Sequence, residues 1–206
     1  MLMPLRKKNR KDLVGYISHL RNKVEELESY QLVSQRVKNL ERCMLSSLQY
    51  ERRECIEIYN LPETVADEKI EDTCLSILQD IGCGEIKKWQ VHAFHRMRNR
   101  KNSIIRFVTR KHADAALHNR GKLKTLDQTK YGFDNRIYIN ESLCRPMAFL
   151  AYKVRSAKKE GRIESYNIWK GKLSVTINSR KHSISHIDDL IDLSLANEED
   201  RTSFFK

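Results

Sequence analysis

Apolar residues recur at Leu13, Ile17, Leu20, Val24 and Leu27 in alternating steps of four and three, the spacing that draws one stripe along an α-helix. The stripe slips around Gln31 and Ser34 and resumes at Val33, Val37, Leu40 and Met44, with charged residues such as Lys23, Glu25, Glu28, Lys38 and Arg42 at outward positions. Residues 16–61 contain neither Gly nor Pro. The pattern predicts a coiled coil over residues 12–52, with a helix about 60 Å long that buries its stripe against copies of itself as a dimer or trimer. An amphipathic helix folded back on the remainder of the chain is the alternative.

Beyond residue 52 the period shortens. Cys55-Ile56-Glu57-Ile58-Tyr59 predicts a strand, stopped by Asn60-Leu61-Pro62. A helix capped at Thr64 follows, carrying Ile70, Cys74, Ile77, Leu78 and Ile81 and ending at Gly82 and Gly84. Strands over residues 91–95 and 103–108 flank a basic turn, residues 96–102, and read as a hairpin. A helix over residues 111–120 stops at Gly121, and a strand over residues 136–139 completes a β-α-β-β-α-β order.

Residues 141–206 predict a second, smaller α-β-β-α domain. Its first helix has Pro146 in the first turn, the stripe Met147, Leu150, Ala151 and Val154, and Gly161 as its stop. Alternating strands over residues 163–169 and 172–177 turn at Lys170-Gly171. A short helix capped by Ser185 carries Ile187, Leu190, Ile191 and Leu193, and Glu198-Glu199-Asp200 reads as a frayed tail.

Charge changes this picture more than composition does. With 32% charged and 40% hydrophobic residues and only 7 Gly and 3 Pro, the chain reads as ordered and helix-rich. No apolar run is long enough to span a bilayer, and the basic arm in residues 1–11 precedes no apolar stretch, so secretion is not expected. The five cysteines lack any Cys-x-x-Cys pair, which fits reduced thiols in an intracellular compartment. Cys74, Cys83, His92 and His95 can be drawn together as metal ligands, but their spacing matches no compact zinc site, and no metal is expected. No phosphate loop, nucleophile elbow or metalloprotease motif is present, and Asp188 and Asp189 suit the first turn of a helix; no enzyme, cofactor or small-molecule substrate is expected.

The net charge of +12 points to a polyanionic partner. Between Lys87 and Lys124 stand twelve Lys or Arg against one acid, Asp114. A solvated face mixes signs, so this asymmetry predicts phosphate binding without base identity. The candidate nucleic-acid contacts are Arg96, Arg98, Arg100, Lys101, Arg106, Arg110, Lys111, Arg120 and Lys122, then Lys153, Arg155, Lys158, Lys159 and Arg162 on the next helix. Tyr166, Trp169 and Lys172 complete them on the following hairpin, where basic side chains beside aromatics suit single strands. Trp169 reads equally as a core anchor. The β-α-β-β-α-β order is that of an RNA-recognition-motif sheet, yet Glu57 stands where the first stacking aromatic belongs and residues 103–108 lack the Gly-aromatic signature. Ile56, Ile58, Ile105 and Phe107 are therefore read as core. The fold class is α+β: a coiled coil, a divergent RNA-recognition-motif-like domain over residues 53–140, and the C-terminal domain.

Three stretches carry a family resemblance: Val91-His92-Ala93-Phe94-His95-Arg96-Met97, Ile137-Tyr138-Ile139-Asn140-Glu141-Ser142-Leu143, and Lys159-Glu160-Gly161-Arg162-Ile163 running on to Trp169-Lys170-Gly171-Lys172. They resemble the region shared by the baculovirus few-polyhedra protein and the first-open-reading-frame proteins of LINE-type retrotransposons, over roughly residues 56–190. The retrotransposon resemblance implies a trimeric coiled coil and a protein that coats single-stranded RNA and chaperones annealing. The viral resemblance implies the alternative, a structural protein acting in virion envelopment or occlusion through protein or membrane partners.

Overall fold

The computed structural model describes residues 10–63, 66–98, 101–127, 129–131 and 136–204. The first nine residues of the basic arm, the expected cap Thr64, and Arg100 lie outside them. Helix α1 (Arg10–Tyr50) is 41 residues long, and the chain divides after Met44 into two compact units.

In the first unit the expected seam residues are helical and solvent-exposed, from 43% at Leu20 to 70% at Leu40. At 100° per residue, the stripe Leu13–Leu27 and the stripe Val33–Met44 lie on faces roughly 100° or more apart, because the pattern drops one residue between them. Among the described residues, no helix is long and apolar enough to cross a membrane.

The second unit holds two antiparallel sheets, each with its own hydrophobic cluster. The first sheet is built from β1 (Cys55–Tyr59), β2 (Val91–Arg96), β3 (Ser103–Phe107) and β4 (Tyr138–Glu141), in the order β2-β3-β1-β4. Period-2 alternation sends Ile56, Ile58, Ile105, Phe107 and Ile139 to one face, where all are buried. Helices α2 (Asp67–Leu78) and α3 (Arg110–Asn119) close that face through Ile70, Cys74, Ile77, Ala113, Ala116 and Leu117. Cys74, weighed above as a metal ligand, is fully buried there, and burial pushes its thiol up to about 12. Gly82 and Gly84 take the positive φ that ends the helical run after α2, as their spacing predicts.

The opposite face carries Glu57, Tyr59 and Tyr138, the two tyrosines paired directly across β1 and β4. Glu57 is itself buried, accepting hydrogen bonds from the hydroxyls of Ser142 (3.0 Å) and Tyr59. Burial and this carboxylate together hold the Tyr59 phenol well above its ordinary range.

The C-terminal part differs from its expected α-β-β-α order by one strand and one helix. After α4 (Arg145–Lys159) the sheet has three strands, β5 (Ser165–Trp169), β6 (Lys172–Ile177) and β7 (Arg180–Ile184). The unexpected β7 follows a two-residue turn, Asn178-Ser179, in which both residues have positive φ; no glycine marks it. Helix α5 (Ile187–Asp192) is capped by His186, whose Nδ1 accepts from the Asp188 N–H at 3.3 Å, whereas the expected cap Ser185 donates to the Asp189 carboxylate. The acidic tail is not frayed. Glu198–Phe204 form α6, fastened by Asp200 to Lys153 (2.5 Å), by Arg201 to Asp188 (2.5 Å), and by Phe204 packed against Phe149 and His186 in the core. Phe204→Ala should therefore cost about 3–5 kcal/mol in urea unfolding, and an unchanged midpoint would mean that α6 frays after all.

Candidate nucleic-acid interface

The end of β4 organises a surface lined by several cations. Lys170 (φ 53°) and Gly171 (φ 70°) form a two-residue hairpin turn between β5 and β6, a shape that leaves both backbone N–H groups pointing outward. Glu141 accepts both, at 2.6 Å each, one on each carboxylate oxygen. Charge-assisted bonds of this length offset much of the desolvation of a carboxylate that is only 9% exposed. Beside it Gln49, in the last turn of α1, donates to the Ser142 carbonyl (3.0 Å) and accepts from the Cys144 N–H (2.9 Å), and Arg52 donates to the Ser142 hydroxyl (3.2 Å). The hairpin tip is thus bolted to the end of β4.

Three hollows follow from this arrangement, neighbouring ones share lining residues, and together they make a row, the groove, along the free edge of β4. The first, about 300 Å³, lies among Arg52, Arg53, Arg110, Trp169, Lys170 and Lys172. The second, about 240 Å³, shares Glu141 with it and adds Arg120, Arg155 and Tyr166. The third, about 460 Å³, shares Arg120 and Asn140 with the second and runs past Lys124 and Arg136 to Tyr138. Arg120, Lys124, Arg155 and Lys172 form no ion pair among the described residues. Trp169 and Tyr166 are each 38% exposed and Tyr138 is 49% exposed, with Lys170 over the Trp169 ring at 5.8 Å and Arg136 over the Tyr138 ring at 5.9 Å. Trp169 belongs to neither core cluster.

Of the residues the sequence singles out, the groove brings together Arg110, Arg120, Arg155, Tyr166, Trp169 and Lys172. Others are held elsewhere. At the β2–β3 turn Arg96 is half-buried and donates to the Pro62 carbonyl, Lys101 pairs with Glu63 (3.1 Å), and Arg106 pairs with Glu54 (3.6 Å), while Arg98 is exposed. On α4 Lys153 is taken by Asp200 and Lys158 donates to the Glu164 carbonyl (2.6 Å); Arg162 lies past the end of the helix, not on it as expected, and bridges Glu160 (2.7 Å) and the Ser194 carbonyl (3.0 Å). Lys111, Lys122 and Lys159 are exposed and line none of the three hollows.

The groove also contains residues that the charge run did not indicate. Arg53 and Arg110 place their guanidinium carbons 4.7 and 4.5 Å from the Tyr50 ring centroid, and Arg110 bonding lowers the Tyr50 phenol's affinity for its proton. The Arg52-Arg53 pair between helix and strand, and Lys170 in the turn, are visible in the sequence but isolated there from the Lys87–Lys124 run. No family model matches the chain, and no curated protein matches it.

The bolt itself is testable through Gly171, where an added Cβ would sit 2.5 Å from the Gln49 Cγ on top of an unfavourable positive φ. Gly171→Ala should destabilise the fold by about 1–3 kcal/mol. A variant as stable as the parent in urea would show that the Gln49 contact does not hold the hairpin.

Proposed function

We propose that the chain binds single-stranded nucleic acid without regard to sequence, laying the strand along the groove from Tyr138 to Trp169, and that it serves a retrotransposon or virus as a nucleic-acid chaperone. The carrying observation is a row of neighbouring hollows in which Arg120, Lys124, Arg155 and Lys172, without an ion pair among the described residues, alternate with the partly exposed rings of Tyr138, Tyr166 and Trp169. Guanidinium and ammonium groups neutralise phosphates and release counterions, while aromatic rings accept any base. The strand order β2-β3-β1-β4, with α2 and α3 on one face, supports reading the first sheet as a divergent RNA-recognition-motif-like domain. In that reading, recognition has moved from the sheet face, where Glu57 is buried under Ser142, to the β4 edge. The exposed stripe from Leu13 to Leu27 supports association of copies through α1, as a dimer or trimer.

Each phosphate contact on a single strand contributes about −0.7 to the slope of log affinity against log salt. Replacing Arg110, Arg120 and Arg155 together with Ala should flatten that slope by roughly 2 and weaken all sequences alike. A slope untouched by this variant but flattened by Arg96, Arg98 and Arg100 changed together would move the interface to the β2–β3 turn. Absence of any oligonucleotide binding would favour the structural, virion-associated role. Separately, Leu20→Asp with Val24→Asp should convert an oligomer to monomers in light scattering; a parent protein that is already monomeric would refute association through α1.

A further inference from the structure

The hollow beside the β5–β6 hairpin differs from the rest of the groove in how its charge is held. Its two acids are both engaged: Glu141 by the Lys170 and Gly171 N–H groups, and Asp114 by the Lys170 ammonium at 3.4 Å. Arg53 and Arg110 lie over the Tyr50 ring and Arg110 also donates to its hydroxyl, an anchorage that leaves the remaining guanidinium N–H groups available to a further anion. Arg52 uses one N–H on Ser142 and retains others. Three guanidinium groups around one space suit a phosphate, which arginine grips with two parallel hydrogen bonds.

A bare phosphate would not use the rest of the site. Cys55, Leu117 and the Trp169 indole supply apolar wall, and about 300 Å³ is the lower end of the range for small-molecule pockets. Lys170 stands over the Trp169 ring at 5.8 Å and limits how a second ring can approach it.

We propose that this hollow is a nucleotide pocket: it seats one nucleoside monophosphate as a unit, its base against the Trp169 indole and its phosphate on Arg52, Arg53 and Arg110. The proposal deepens the single-strand reading on which it rests, since the same pocket would hold one nucleotide of a bound strand. It adds that a free nucleotide occupies the pocket and competes with the strand there.

Trp89 is 71% exposed, so Trp89→Phe in the full chain leaves Trp169 as the sole indole without disturbing a core. Uridine monophosphate should quench that remaining fluorescence saturably, and should do so at concentrations about tenfold lower than uridine. Arg53→Ala with Arg110→Ala should weaken this binding by at least about tenfold, with Arg110→Lys intermediate, because it keeps the charge and loses the fork. Inorganic phosphate that displaces uridine monophosphate at equal concentration would reduce the site to an anion contact and overturn the proposal. So would the lack of saturable quenching in a protein that still binds a short oligothymidylate. Loss of both nucleotide and oligothymidylate binding would overturn the groove reading along with it.

Discussion

The second unit depends on one buried carboxylate. Glu141 sits at the end of an edge strand, and its two oxygens hold the two N–H groups of a hairpin belonging to the other sheet. A carboxylate this buried is unfavourable unless it is fully bonded, and the turn geometry supplies two donors at the spacing of its oxygens. Register then carries the consequence outward. With Lys170 and Gly171 fixed, Trp169 and Lys172, paired across the turn, must lie beside Arg110 and Asp114 of α3. The groove is what remains between two sheets joined at that point. Glu141 thus bonds two segments far apart in the sequence, residues 137–143 and 169–172.

Elements with strong periodicity were legible in the sequence. Strands β1 to β6 and helices α2 to α5 fall within a few residues of where apolar spacing and the glycine stops put them. What escaped was decided by tertiary contacts. The turn into β7 uses Asn178 and Ser179 at positive φ, where glycine is the usual mark. The acids of α6 look like a solvated tail until Phe204 and Lys153 supply a core position and a cation for them. The site was harder to read for the same reason. Charge counted along the chain ran together residues that the fold separates: the β2–β3 turn lies at the Tyr59 end of the sheet, whereas Arg110 follows β3 at the Cys55 end.

The phase change in α1 sets a limit on how copies can associate. An a/d seam stays between partners only while the repeat is kept, and dropping one residue between Leu27 and Val33 rotates the stripe by about 100°. Copies joined along Leu13–Leu27 turn Val33, Val37 and Leu40 away from that axis unless the helices overwind locally. The two stripes are therefore better treated as two short interfaces than as one long one.

The distribution of acids explains why a net charge of +12 becomes a groove rather than a diffuse halo. Glu54, Glu63, Asp72, Glu160 and Asp200 each neutralise a cation outside the groove, on Arg106, Lys101, Lys88, Arg162 and Lys153. Within the groove the two acids serve the hairpin, one through backbone N–H groups and one through Lys170. Exposed ion pairs contribute little to stability, so the first four matter less as fasteners than as local cancellation, whereas the half-buried Asp200–Lys153 pair also holds α6. Arg120, Lys124, Arg155 and Lys172, which line the groove, have no such acid among the described residues. In the proposed reading, a strand laid there meets cations that neutralise phosphates and rings that stack on any base, and this is the physical basis of binding that ignores sequence.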